Sequence, residues 1–110
     1  MSYEILFTSS FNRGLKPLLK KYSSIKADLI QLRTELQANP TAGDALGRGC
    51  FKVRVRIGAK KTGKSGGARV ITCVKVVANQ IFLLTIYDKS EQESIFDNER
   101  DELLRENDLL

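Results

Sequence analysis

The chain contains no histidine and no tryptophan, only two cysteines and two prolines, and no strongly apolar stretch longer than Ile81–Ile86. Each scarcity excludes something. Without histidine, the commonest general base and the commonest metal ligand are both missing, so any catalysis must run on Lys, Arg, Tyr, Asp or Glu. Cys50 and Cys73 stand alone in their neighbourhoods, without the paired spacing of a zinc site or the density of a disulfide scaffold, as expected for a reducing cytoplasm. A bilayer-spanning helix needs roughly 20 apolar residues, and Met1-Ser2-Tyr3-Glu4 has no basic region leading into an apolar one. The expectation is a protein neither secreted by a visible signal nor set in a membrane. With 42% apolar and 28% charged residues and no low-complexity tract, residues 1–110 should form one domain around one core.

The net charge of +5 hides a strong polarity. Residues 1–87 hold 15 Lys and Arg against four acids, and residues 88–110 hold three bases against nine acids. From Arg48 to Lys75 the chain carries nine cations, Arg48, Lys52, Arg54, Arg56, Lys60, Lys61, Lys64, Arg69 and Lys75, with no acid. Such a block predicts a polyanion-binding surface.

Tyr3–Thr8 is short, β-prone and closed by Ser9-Ser10, an opening strand. Phe11, Leu15, Leu18, Leu19 and Tyr22 then recur at helical steps, in a helix that Gly14 and Pro17 should weaken. Ser23-Ser24 offer N-caps for a second helix with the stripe Ile25, Leu29, Leu32, Leu36, ending before Asn39-Pro40. Thr41–Gly49 reads as turn. From Cys50 to Ile57 the pattern alternates, sending Phe51, Val53, Val55 and Ile57 to one face and Cys50, Lys52, Arg54 and Arg56 to the other. A Gly/Lys loop at 58–67, a strand at 68–77, a turn at Ala78-Asn79 and a doubly apolar, central strand at 80–87 complete an antiparallel meander. A short helix starting near Asn98 lies in the acidic tail.

Gly58-Ala59-Lys60-Lys61-Thr62-Gly63-Lys64-Ser65 satisfies the nucleotide-binding P-loop formula letter for letter. That motif works only where a helix follows and its N-terminal amides hold the phosphates. Here Gly66-Gly67 and the β-branched run Val70-Ile71-Thr72 follow, so a hairpin loop of lysines is expected. Charges on an edge strand are ordinary protection against aggregation. The continuation of Lys52, Arg54 and Arg56 into Lys60, Lys61, Lys64 and Arg69, undiluted by Glu, shifts the balance toward polyanion binding.

Gly63-Lys64-Ser65-Gly66-Gly67-Ala68-Arg69-Val70-Ile71, followed by Ile81-Phe82-Leu83-Leu84-Thr85-Ile86-Tyr87-Asp88-Lys89-Ser90-Glu91, resembles the RelE/HigB branch of the RelE/ParE toxins of bacterial toxin–antitoxin systems. The opening strand, the helical hairpin ending at Leu36–Pro40 and Gly47-x-Gly49 are similar too, so the resemblance covers nearly the whole chain. It implies an α+β fold of order β-α-α-β-β-β plus a short C-terminal helix, with the helical hairpin on one face of a twisted antiparallel sheet. It also implies a toxin that cuts messenger RNA in the ribosomal A site and is restrained by a cognate antitoxin, a small helix-turn-helix protein. A ParE-like toxin that poisons DNA gyrase, or an inert basic relative, is the alternative.

The chemistry suits the residues present. RNA can be cleaved by its own 2′-hydroxyl, given a base, positive charge for the pentacoordinate phosphate and a donor for the leaving 5′-oxygen, with no metal or other cofactor. By the resemblance Arg69 matches the family's phosphate-contacting strand arginine, and Lys61, Lys64, Tyr87 and Lys89 join it as catalytic candidates. Lys52, Arg54, Arg56 and Lys60 are the RNA-binding candidates. Positions where some relatives carry a further catalytic arginine and a stacking tyrosine hold Ser90 and Phe96.

Overall fold

The computed structural model describes residues 2–61, 63 and 66–110. Strand β1 (Glu4–Phe7) leads into helices α1 (Ser9–Lys21) and α2 (Ile25–Ala38), strands β2 (Asp44–Gly47), β3 (Cys50–Val55), β4 (Ala68–Lys75) and β5 (Gln80–Asp88), and helix α3 (Asp97–Glu106). A 3-10 turn, Gly58–Lys60, follows β3. The five strands form one sheet in the order β1-β5-β4-β3-β2. The α+β class and the helical hairpin agree with the sequence, whereas three features of the sheet differ. It is mixed, because β1 lies parallel to β5. It also gains a strand, because Asp44–Gly47, read as turn, pairs antiparallel with β3. Positive φ at Gly47, Arg48 and Gly49 lets so short a connection reverse the chain. The sequence also points to residues 80–87 as the central strand, but the centre is β4, buried along almost its whole length, with β5 between it and β1.

Residues 68–75 are strand and not helix, which removes the P-loop reading. On one face of the sheet Val53, Val55, Val70, Ile81, Leu83 and Ile86 pack with Phe11, Leu18, Ile25, Leu32 and Leu36 of the hairpin, and Phe51 joins them half-buried. The opposite face holds a smaller core in which Cys50, Ile71, Cys73 and Leu84 meet Leu104 of α3. Cys50 and Cys73 are free thiols directly opposite each other on β3 and β4. Their mutual hydrogen bond pushes Cys50 up and draws Cys73 down.

Helix α1 runs unbroken through Pro17. The Thr8 hydroxyl caps it by accepting the Phe11 amide, and Phe11 and Leu18 anchor its face in the core. Burial of that stripe outweighs the one backbone bond proline forfeits. Between Ile71 and Thr72 the pairing of β4 with β5 shifts by a residue, a β-bulge. The Thr8 hydroxyl donates to the Leu83 carbonyl (2.7 Å) and the Ser10 hydroxyl to the Leu84 carbonyl beside it. Gly14 then brings α1 down onto β5, where a Cβ would lie 2.5 Å from the Ile86 carbonyl oxygen.

At the outer edge of the sheet, the Glu4 amide donates to Asn79 O (2.8 Å) and the Thr8 amide to Leu83 O (3.3 Å). Alternate residues Tyr3, Ile5 and Phe7 therefore aim their amides and carbonyls away from β5. Gln37 of α2 meets both groups of Tyr3, accepting from its N–H (3.0 Å) and donating to its C=O (2.7 Å). Among the described residues no helix is long and apolar enough to cross a membrane.

Candidate functional site

Strand register builds the site. Arg54 of β3, Arg69 of β4 and Tyr87 of β5 are direct partners, a row across three strands on the face opposite the helical hairpin. Lys52, Ile71 and Thr85 form the next row. The row ends where three connections meet: the 3-10 turn carrying Lys60, the residues leading into β4, and the loop after β5 carrying Lys89. The Lys89 amide donates to Gly67 O (3.0 Å), which ties the last two together. Gly67 has no room for a side chain, since a Cβ there would meet Val55 O at 1.9 Å.

The predicted residues differ in what they offer. Arg69 is only 4% exposed, and its Nη1 donates to Ala68 O (3.0 Å), so the sheet itself orients the guanidinium. Arg54 and Arg56 are exposed and Lys52 half-buried. Arg54 and Arg56 line a cleft shared with Asp28 and Glu35 of α2. Lys61 is exposed and left-handed (φ 56°). Lys89 is half-buried with Glu93 4.0 Å away. Lys60 turns inward, its Nζ 3.0 Å from Asp88 Oδ1. Lys64 lies outside the described residues.

Tyr87 forms the boundary between two potentials. On one side is the arginine row; on the other, a groove lined by Arg13, Gln92, Glu99, Glu102 and Glu106. Its hydroxyl donates weakly to Glu93 O (3.4 Å). Burial pushes its pKa up to about 12, the Arg69 charge opposing and Glu99 and Glu93 reinforcing the shift. Near neutrality it is a phenol, able to donate a proton and unsuited to accept one. Phe96 is 77% exposed at the start of α3. The Glu99 carboxylate accepts the Phe96 amide (3.3 Å), an N-terminal cap that starts the helix one residue before Asn98.

The acid-free block of the sequence is not acid-free in space. Asp101 reaches Arg48 (3.1 Å) and Asp88 reaches Lys60. Asp28 accepts the Gly58 amide (3.1 Å) and the Ser24 hydroxyl (2.7 Å), while that hydroxyl accepts from Ala59 N (2.8 Å). Ser24 stands at the N-cap of α2 yet makes no cap there; it anchors the lysine turn instead. Sequence reasoning missed Asp88. The signal was its place: the first carboxylate after Asp44, at the end of a strand apolar on both faces.

A small α+β domain with a cationic row at the sheet end and a carboxylate-pinned lysine turn defines a class, and comparison supplies the family. Residues 7–107 match the family described as the RelE toxin of the RelE/RelB toxin-antitoxin system. The chain belongs to that toxin family. Its fold is similar to a free double arginine-to-alanine variant of Escherichia coli RelE, at 22% identity and TM-score 0.59, covering 84% of this chain and 90% of that one. The toxin–antitoxin complex RelBE2 of Mycobacterium tuberculosis matches at 22% identity and TM-score 0.61, covering 80% of this chain and 99% of that chain. The intact E. coli RelBE complex matches at 20% identity and TM-score 0.56, covering 79% and 96%.

Proposed function

We propose that the protein is a metal-independent endoribonuclease that cuts messenger RNA on the ribosome, in the cytoplasm, until a cognate antitoxin covers its basic face. The observation that carries this reading is the row Arg54–Arg69–Tyr87 in register across three strands, at the sheet end where Lys61 and Lys89 also emerge. The similar complexes from E. coli and M. tuberculosis, each a toxin with its antitoxin, support the partner.

In this reading the RNA backbone lies across the row. Arg54, Arg56 and Lys52 hold flanking phosphates, and the buried, pre-oriented Arg69 guanidinium faces the scissile one and stabilises charge gathering on its oxygens. One of Lys61, Lys64 and Lys89 acts as the base that removes the 2′-hydroxyl proton. The 2′-oxygen bonds to phosphorus, the bond to the 5′-oxygen breaks, and a donor protonates the leaving oxygen, leaving a 2′,3′-cyclic phosphate. Tyr87, which keeps its phenolic proton near neutrality, is the candidate for that donation.

Arg69→Lys keeps a charge in the sheet but loses the planar fork, and should slow ribosome-dependent cleavage by about 10²-fold. Primer extension on mRNA from cells expressing the toxin alone measures it. Binding to ribosomes should meanwhile weaken steeply with salt. Growth arrest that persists in Arg69→Lys with uncut mRNA would transfer the reading to gyrase poisoning.

A further inference from the structure

Asp88 ends β5 with its side chain 0% exposed. An isolated carboxylate buried so deeply would neutralise itself. This one is filled on both oxygens. Oδ1 accepts from Lys60 Nζ (3.0 Å), the Ser90 amide (2.9 Å) and the Ser90 hydroxyl (2.8 Å). Oδ2 accepts from the Tyr22 hydroxyl and has Lys21 Nζ at 3.7 Å. Burial alone would raise its pKa, but the donors Tyr22, Ser90 and Lys60 outweigh it and hold the group well below the usual carboxylate range.

These donors come from three separate segments: the end of α1, the turn after β3 and the loop after β5. Two of them carry the candidate bases, since Lys61 follows Lys60 and Lys89 lies between Asp88 and Ser90. Asp88 is also the register partner of Ala68, the neighbour of Arg69. Lys60 is 15% exposed at its side chain and sits 5.8 Å from the centre of the Tyr22 ring, which packs it in place. Lys60 and Lys61, adjacent and alike in sequence, thus divide. Lys60 is a strut, and its ammonium cannot serve a phosphate without abandoning Asp88.

We propose that Asp88 is a positioning residue for the ribonuclease surface: it withholds Lys60 from RNA and, through Lys60 and Ser90, sets the two lysine-bearing segments beside Arg69. The inference rests on the ribonuclease reading. It separates binding from catalysis, because freeing Lys60 and Lys21 adds cations to the surface while releasing the segments that aim the chemistry.

The test compares the parent with Asp88→Asn in single-turnover cleavage of ribosome-bound mRNA and in RNA binding across salt. The expected result is a rate at least ten-fold lower with equal or tighter binding and a steeper salt dependence. Mere loosening of the fold would instead lower the competent fraction and weaken both together. Lys60→Met should slow cleavage without weakening binding, and Lys60→Arg should restore the rate. If Asp88→Asn fails to fold, Tyr22→Phe removes one donor and should show a smaller version of the same split. An unchanged rate, or weaker binding at unchanged rate, overturns the proposal. Acylation by acetyl N-hydroxysuccinimide supplies a readout free of activity: Lys60 should be protected in the parent and labelled in Asp88→Asn. If the parent cuts nothing, the ribonuclease reading fails, whereas labelling of Lys60 in the parent refutes its withdrawal from the surface.

Discussion

Replacing Gly14 by alanine sets two effects of known size against each other. In an exposed helix the exchange would stabilise by about 1 kcal/mol. Here the new methyl would lie 2.5 Å from the Ile86 carbonyl oxygen, 3.2 Å from Thr85 Oγ1 and 3.3 Å from the Ile86 amide nitrogen. Two of these neighbours are backbone of a strand held on its other side by β4, so the helix must move outward. That motion strains the bonds by which Thr8 and Ser10 satisfy the bulge carbonyls. Overpacking of this kind costs about 1–3 kcal/mol, and the strained bonds add about 1 kcal/mol each if lost. A net destabilisation of about 1–3 kcal/mol should follow, read as a lower urea midpoint and a Tm lower by roughly 5–15 °C. Asn12→Ala, exposed on the same helix, serves as control and should gain a few tenths of a kcal/mol, on the order of the helix-propensity difference. A Gly14→Ala protein as stable as its parent would refute the close approach of α1 to β5.

Two further outcomes follow from buried polar groups. Arg100 is buried, donates to Leu46 O and pairs with Asp101 (3.0 Å) and Asp97 (3.3 Å), so Arg100→Met should cost about 1–3 kcal/mol and make α3 the first segment cut in limited proteolysis. Tyr87, held neutral until about pH 12, should give a late phenolate transition in absorbance at 295 nm that Tyr87→Phe removes. Because its folded pKa lies above the unfolded value of about 10, its contribution to stability is whole below that pH and erodes as the pH rises toward 12.

Period-two alternation placed Lys52 and Arg54 opposite Phe51, Val53 and Val55 because one face of that strand is buried, and burial fixes the face of every residue along it. Helical spacing located α1 and α2 within a residue or two for the same reason. What escaped was decided by partners distant in the chain. Strand β2 has too little apolar content to announce itself and exists because β3 offers an edge. The parallel docking of β1 on β5 depends on where α1 and α2 return the chain, which no local pattern records. The cations of the 48–75 block look equivalent in sequence, and only the arrival of Asp88, Asp101, Asp28 and Glu35 from other elements sorts them into struts and exposed charges. Resemblance singled out Arg69 as a candidate but was silent on its burial, which follows from its seat on the central strand.

The Gln37 amide has a consequence for the company the molecule keeps. By presenting one N–H and one C=O to Tyr3 at the spacing of a neighbouring strand, it acts as a one-residue dummy strand at the open margin of the sheet. An approaching chain finds only Ile5 and Phe7 with outward backbone groups to offer. Two residues are too short a template to nucleate lateral growth, and the helix that supplies the glutamine also blocks the approach beyond it. The sheet is thereby guarded against polymerising through β1, with the exposed charge of Glu4 on the same strand and no proline spent on the task.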